Sequence, residues 1–174
     1  ALHKIIAITE VAMRAPICNK YGHIEIEKHN WKKQLSNTFH CYYSPNDAVY
    51  KKILFFFNNI ERDKVTLFDM LENCDLQVLN SIFMLLDTDQ QSSLFKSDFD
   101  HLKENLDALR ELRNCVEHHQ LLIIKDLKEV WISGEKKTGL NANIENAINL
   151  SPKLAKENLK ETINDCLIID ESKE

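Results

Sequence analysis

Between Leu102 and Leu122 the chain reads LKENLDALRELRNCVEHHQLL, and no other stretch restricts its folding as tightly. Phe99, Leu102, Leu106, Leu109 and Val116 recur at spacings of three, four and seven, which place them on one face of an α-helix. Ser97 with Asp100 forms a capping-box pattern just ahead of this stripe. The whole sequence holds only three Gly and three Pro, so long helices joined by short turns are favoured throughout.

The same reading runs along the chain. Residues 2–14 place Ile5, Ile8 and Ala12 on one stripe, with Glu10 and Arg14 one turn apart as a helix-supporting pair, and Pro16 and Gly22 are expected to end this helix. Ile24 to Phe39 is expected to be helical in its second half, around Trp31 and Leu35. Ser44-Pro45 reads as a cap and first-turn proline opening a helix to Ile60. Thr66 with Asp69 makes a second capping box, and Asp75 opens an apolar helix carrying Leu76, Leu79, Ile82, Phe83 and Leu86. Thr88 to Ser93 reads as a polar loop. Ser133-Gly134 and Gly139 read as breaks, Asn143 to Leu150 as a short helix, and Ser151-Pro152 as the start of a last helix to about Ile168.

A length of 174 residues suits one domain spanning 1–174, and 44% hydrophobic with 28% charged residues is the composition of an ordinary globular protein. The formal charge of -5 is opposite to the footprint of a protein that grips long nucleic acid by its backbone. It weighs less against an enzyme with one local phosphate site. Five cysteines, an odd number without C-x-x-C spacing, read as reduced thiols of a cytoplasmic protein. No apolar run suggests a membrane span or a signal peptide. A chain that begins with Ala is expected to be processed or cut from a longer protein.

Chemistry concentrates at Arg113, Asn114 and His118. A guanidinium offers a permanent fork of donors to phosphate oxygens, and an imidazole moves protons near neutrality. Arg113 follows Leu106 by seven and Leu109 by four, near the centre of the apolar stripe, while Arg110, Asn114 and His118 form a neighbouring ridge. Arg113 and His118 diverge by about 140° around a straight helix and about 7.5 Å along it, so one copy supplies half a site. Two copies packed across a two-fold axis can complete it.

The chemistry such a composite site suits is attack by an RNA 2′-hydroxyl on the adjacent phosphorus, with no metal or cofactor. His118 serves as general acid or base, Arg113 stabilises phosphate charge, and Asn114 binds the phosphate or orients His118. The plainer alternative is an Arg113–Glu117 ion pair with His118 at the surface. His23 and His29 with Glu25 and Glu27 form only a loose metal-like cluster, and Cys115 reads as packing.

The segment Arg113-Asn114-Cys115-Val116-Glu117-His118 resembles the signature of the HEPN superfamily, an Arg, a polar residue, a few intervening positions and a His on one helix. LRELRNCVEHHQLL looks most like the Abi-like (abortive infection) branch, where L-R-N is followed by three variable residues and H-H. ITEVAMRAPICNKYG (Ile8 to Gly22) is similar to that branch's opening helix, with Glu10 and Arg14 at the corresponding places.

The resemblance implies an all-α fold, a HEPN-type helical bundle with additional short helices. It further implies a homodimer, metal-independent endoribonuclease activity on RNA, and a role in phage defence or as a toxin with an antitoxin or defence-system partner. Arg113, Asn114 and His118 would be catalytic, Arg110 and His119 would bind substrate, and Glu10, Arg14 and Glu117 would support them. Family members usually carry a region before the opening helix, so this sequence is expected to be a truncated form or a minimal homologue. Glu117 stands where they often have a small residue. Some members have lost catalysis and act as interaction or dimerisation modules.

Overall fold

In a computed structural model the described residues are 2–21, 35, 37, 44, 46–48, 50–52, 66–95, 99–118 and 126–152. They are mostly helical, with one two-stranded antiparallel hairpin that the all-α expectation did not contain. No helix among them is long and apolar enough to cross a membrane. They gather in two compact units, residues 1–12 with 92–174, and residues 13–91.

Helix α1 (Leu2–Tyr21) buries Ile5, Thr9, Met13, Ile17 and Tyr21, each four residues after the last. Ile8 and Ala12 are only half-buried, so the stripe is rotated from the one expected. The helix also runs through Pro16 instead of ending there. An interior proline costs about 3 kcal/mol, whereas burying a large apolar side chain stabilises by about 1.5–3 kcal/mol. Met13, Ile17 and Tyr21 together outweigh the proline.

In the unit 13–91, Ser44, Asn46 and Asp47 precede the first helical residue described there, Ala48, while Pro45 of the expected first turn lies outside the described residues. The Asp47 amide donates to Ser44 O at 2.9 Å, and the first helical bond runs from Lys51 N to Asp47 O at 3.1 Å. Most of the expected Ile24–Phe39 and Ser44–Ile60 helices lies outside the described residues. Helix α2 (Leu67–Asn73) carries the expected capping box: the Asp69 amide donates to Thr66 Oγ1 at 3.1 Å and the Thr66 amide to Asp69 Oδ2 at 2.9 Å. The Thr66 hydroxyl also donates to Asp69 Oδ2 at 2.6 Å, and this bond together with that from the Thr66 amide holds the Asp69 carboxyl below its usual range.

Helix α3 (Leu76–Phe83) is capped as expected by Asp75, whose Oδ1 accepts from Val78 N at 2.8 Å. Lys52 Nζ reaches Asp75 Oδ2 at 2.9 Å and Gln77 Oε1 at 2.8 Å. Burial pushes the Asp75 carboxyl up, but Lys52 and the Val78 and Gln77 amides outweigh it and leave the pKa lowered.

Thr88 to Ser93, expected as a polar loop, is helical instead: α4 spans Thr88–Leu94. The Asp87 amide donates to Gln90 Oε1 at 3.2 Å, and Asp87 O accepts from Gln91 N at 3.0 Å. Buried Gln91 turns its amide back and donates to the carbonyls of Phe83, Met84 and Leu86 at 3.4, 3.3 and 2.9 Å. The Gln91 amide thus adds to the turn that closes α3, where the Ile82 and Phe83 carbonyls also accept from Leu85 N and Leu86 N at 3.0 Å.

In the other unit, a 3₁₀ turn (Phe99–His101) leads into α5 (Leu102–Glu117), which has no side-chain cap. Ser97 of the expected capping box lies outside the described residues. Leu102, Leu106, Leu109 and Leu112 are buried with Ala108 and Cys115, and Val116 only half so. The helix ends at Glu117 with His118 as its C-cap, short of the expected Leu122.

Strands β1 (Val130–Ile132) and β2 (Glu135–Lys137) pair with Trp131 opposite Lys136. Their two-residue turn has Ser133 at φ 55° and Gly134 at φ 79°, the twist that matches a tight hairpin. Val130 and Ile132 face inward onto Ala108 of α5 and Ala142 of α6 (Gly139–Asn149). Asn105 locks this layer: its Nδ2 donates to Trp131 O at 2.9 Å and its Oδ1 accepts from Trp131 N at 2.8 Å. Asn146 donates to Asn105 O at 2.9 Å, and Asn143 to Lys128 O at 2.9 Å. Helix α6 thus starts earlier than the expected Asn143, and the helix expected after Ser151-Pro152 lies beyond the described residues.

Candidate functional site

The apolar face of α5 fixes where Arg113 goes. Leu109 and Leu112 are fully buried, so Arg113 beside them is drawn inward, and its side chain keeps 29% of its exposure. Such a charge needs a partner. It has two: Glu10 Oε1 of α1 lies 3.3 Å from Nε, and Glu117 Oε2, one turn further along α5, lies 2.5 Å from Nη1. The Glu10 contact is an ion pair without hydrogen-bond alignment, since Nε is buried and lacks a well-directed acceptor.

Two carboxylates stand against one guanidinium, a formal charge of minus one for the three side chains. Around it lies a small pocket of about 60 Å³ lined by His3, Ile6, Ala7, Glu10, Arg113, Val116 and Glu117. Ligand pockets for small molecules run to roughly 300–1,000 Å³, so this one holds a few waters or one small anionic group.

Glu117 is poorly placed for helix stability. The carbonyl end of a helix disfavours a negative charge by about 0.3–1 kcal/mol. A basic residue before an acid at i,i+4 is also the weaker order for such a pair, and half-exposed pairs contribute about 0–1 kcal/mol. The two effects roughly cancel, so Glu117 stabilises α5 little and mainly neutralises Arg113.

The remaining sequence-derived residues fall elsewhere. Asn114 and His118 are exposed and line no part of the Arg113 pocket; they meet only through the backbone, where His118 N donates to Asn114 O at 3.0 Å. Arg113 and His118 of one chain therefore do not converge, as their spacing predicts. Arg110 and Arg14 are half-buried, and among the described residues their Nε atoms find no acceptor. Glu10 turns to Arg113 in place of the helical pairing with Arg14 expected from their spacing. His119, His23 and His29 lie outside the described residues, and among those described no His, Cys, Asp and Glu cluster is arranged to hold a metal ion. Cys115 is buried, as its packing role requires.

Sequence reasoning missed His3. It stands four before Ala7 and seven before Glu10, so helical periodicity alone places it on the face that carries Glu10, at the lip of the pocket. The fold and this cluster define a mostly helical protein with a half-buried, doubly paired arginine. No protein-family model, curated protein or solved structure matches the chain.

Proposed function

We propose that this chain is a HEPN-type, metal-independent endoribonuclease that acts in the cytoplasm as a homodimer, in phage defence or as a toxin. The observation that carries the reading is the contact between Glu10 and Arg113. It joins the two segments that resemble the Abi-like branch, the opening helix and the Arg-to-His helix. The defence role, and an antitoxin or defence-system partner, rest on that resemblance alone.

In the proposed reaction the 2′-oxygen of one nucleotide forms a bond to the adjacent phosphorus while the bond from phosphorus to the 5′-oxygen breaks. A 2′,3′-cyclic phosphate and a free 5′-hydroxyl result. One His118 takes the 2′-hydroxyl proton and its symmetry mate gives a proton to the leaving oxygen, each imidazole being exposed and free to reach a partner's site. Arg113 stabilises charge on the non-bridging oxygens, Asn114 orients the phosphate, and Arg110 and His119 extend the contact with RNA. Cleavage that survives chelator and is lost in Arg113→Ala supports the reading; cleavage unchanged by that substitution contradicts it.

A second reading is a non-catalytic HEPN-like interaction or dimerisation module. The double pairing of Arg113 and the small size of its pocket favour it, because the guanidinium is already neutralised. Under that reading Arg113→Ala changes stability or self-association and no RNA is cleaved.

A further inference from the structure

The two carboxylates on Arg113 are not equivalent. We propose that Glu117 is an autoinhibitory acid which an RNA phosphate displaces from Arg113, whereas Glu10 is a positioning residue that stays in place. The proposal rests on the ribonuclease reading and specifies how that site is regulated.

Glu10 approaches Nε, the inner and buried nitrogen, and its own side chain is only 19% exposed. Glu117 meets Nη1 at the outer end of the guanidinium and is 33% exposed. A phosphodiester approaching from solvent seeks two parallel N–H donors on the guanidinium fork, and Glu117 holds one of the outer ones. Exchange of anions there leaves the inner contact untouched, so the arginine keeps its aim while its outer edge changes partner.

The position of Glu117 supports this division of roles. It ends a helix that has no basic residue in its last turn, where an acid gains nothing from the helix dipole. Its pairing with Arg113 is in the weaker i,i+4 order. A contact of this strength is soft enough for phosphate to replace and strong enough to lower affinity for RNA when it is present. Local neutralisation by Glu117 also keeps the outer edge of the half-buried Arg113 from collecting stray anions in the resting protein.

The test is a charge-matched pair of variants. Glu10→Gln and Glu117→Gln each remove one negative charge from the same guanidinium, so general electrostatic steering predicts equal gains in RNA affinity. The proposal predicts opposite signs. Binding of a fluorescein-labelled 2′-O-methyl oligoribonucleotide, which cannot be cleaved, is followed by anisotropy for both variants and the wild type. Glu117→Gln is expected to tighten Kd by about two- to fivefold, the range for releasing one half-exposed ion pair. Glu10→Gln is expected to weaken binding, and Arg113→Ala combined with Glu117→Gln is expected to abolish the gain. If Glu10→Gln lowers the melting temperature sharply, Glu10→Asp replaces it, because its shorter side chain withdraws from Nε while the charge is kept.

Equal gains from both variants, no gain from Glu117→Gln, or a gain that persists without Arg113 each overturn the proposal. Cleavage in chelator separates it from the reading beneath it. Wild-type cleavage without acceleration in Glu117→Gln removes the autoinhibition and leaves the ribonuclease standing. No cleavage by either protein removes the ribonuclease, and the binding signs still decide how the two acids act on Arg113.

Discussion

Arg113 Nε lies 3.3 Å from Glu10 Oε1, which ties the first helix of the chain to the helix bearing the Arg-to-His segment. Removing the guanidinium strands a carboxylate that is only 19% exposed. Arg113→Ala is therefore expected to cost about 1 kcal/mol, a fall in Tm of about 2–4 °C. A thermal melt followed by circular dichroism measures it. A collapse of the cooperative transition contradicts the expectation, and would also make Arg113→Ala unfit as an activity control.

Asn105 holds Trp131 by both its amide hydrogen and its carbonyl, at 2.8 and 2.9 Å. Asn105→Leu leaves both of these part-buried backbone groups without their side-chain partner, which costs about 2–6 kcal/mol at about 1–3 kcal/mol for each group left unsatisfied. Unfolding in urea should show the loss, and Trp131 fluorescence should shift as the hairpin loosens. A midpoint unchanged from the wild type shows that the hairpin is held by its apolar face alone.

Asp69 and Asp75 give the chain an acid-sensitive pair of helix starts. Both carboxyls have folded-state pKa values below their unfolded ones. Their contribution is present above the unfolded carboxylate pKa of about 3.9 and is lost as pH falls through the lower, folded values. Wild-type stability should therefore fall more steeply below about pH 4 than that of the Asp69→Asn/Asp75→Asn double variant. Urea midpoints at pH 7 and near pH 3 compare them. Parallel loss in both proteins contradicts the assignment.

Gln91 places one amide nitrogen near three carbonyls at the end of α3, the shortest bond being 2.9 Å to Leu86 O. Gln91→Ala is expected to lose about 1–3 kcal/mol for the group left unsatisfied there. Native-state hydrogen exchange of the amides in α3 and α4 reads this locally. Exchange rates like those of the wild type show that water replaces the Gln91 amide without loss.

These residues also show what sequence patterns convey. The caps at Thr66 and Asp75 were legible because capping is local: a hydroxyl or carboxylate and an amide two or three residues apart suffice. The leucine face of α5 was legible because its period is helical. Helix α4 was missed because its stabilising residue, Gln91, bonds backward to carbonyls five to eight residues away, which polarity alone does not reveal. The hairpin is hidden in the sequence because β2 is Glu-Lys-Lys, without apolar alternation, and Ser133-Gly134 by itself signals only a break. Val130, Trp131 and Ile132, followed by a two-residue turn containing Gly, carried a signal for it. At the site, the i,i+4 spacing made Arg113–Glu117 legible. His3 was not, since a lone histidine on a first turn gains meaning only from what packs against it.

The most direct measurement of the central claim is cleavage of a defined RNA in the presence of excess chelator by the wild type and by His118→Ala, with the product ends identified. A HEPN-type ribonuclease gives wild-type products ending in 2′,3′-cyclic phosphate and 5′-hydroxyl, and no products from a folded His118→Ala protein. Intact RNA with the wild type, or the same products from both proteins, contradicts it.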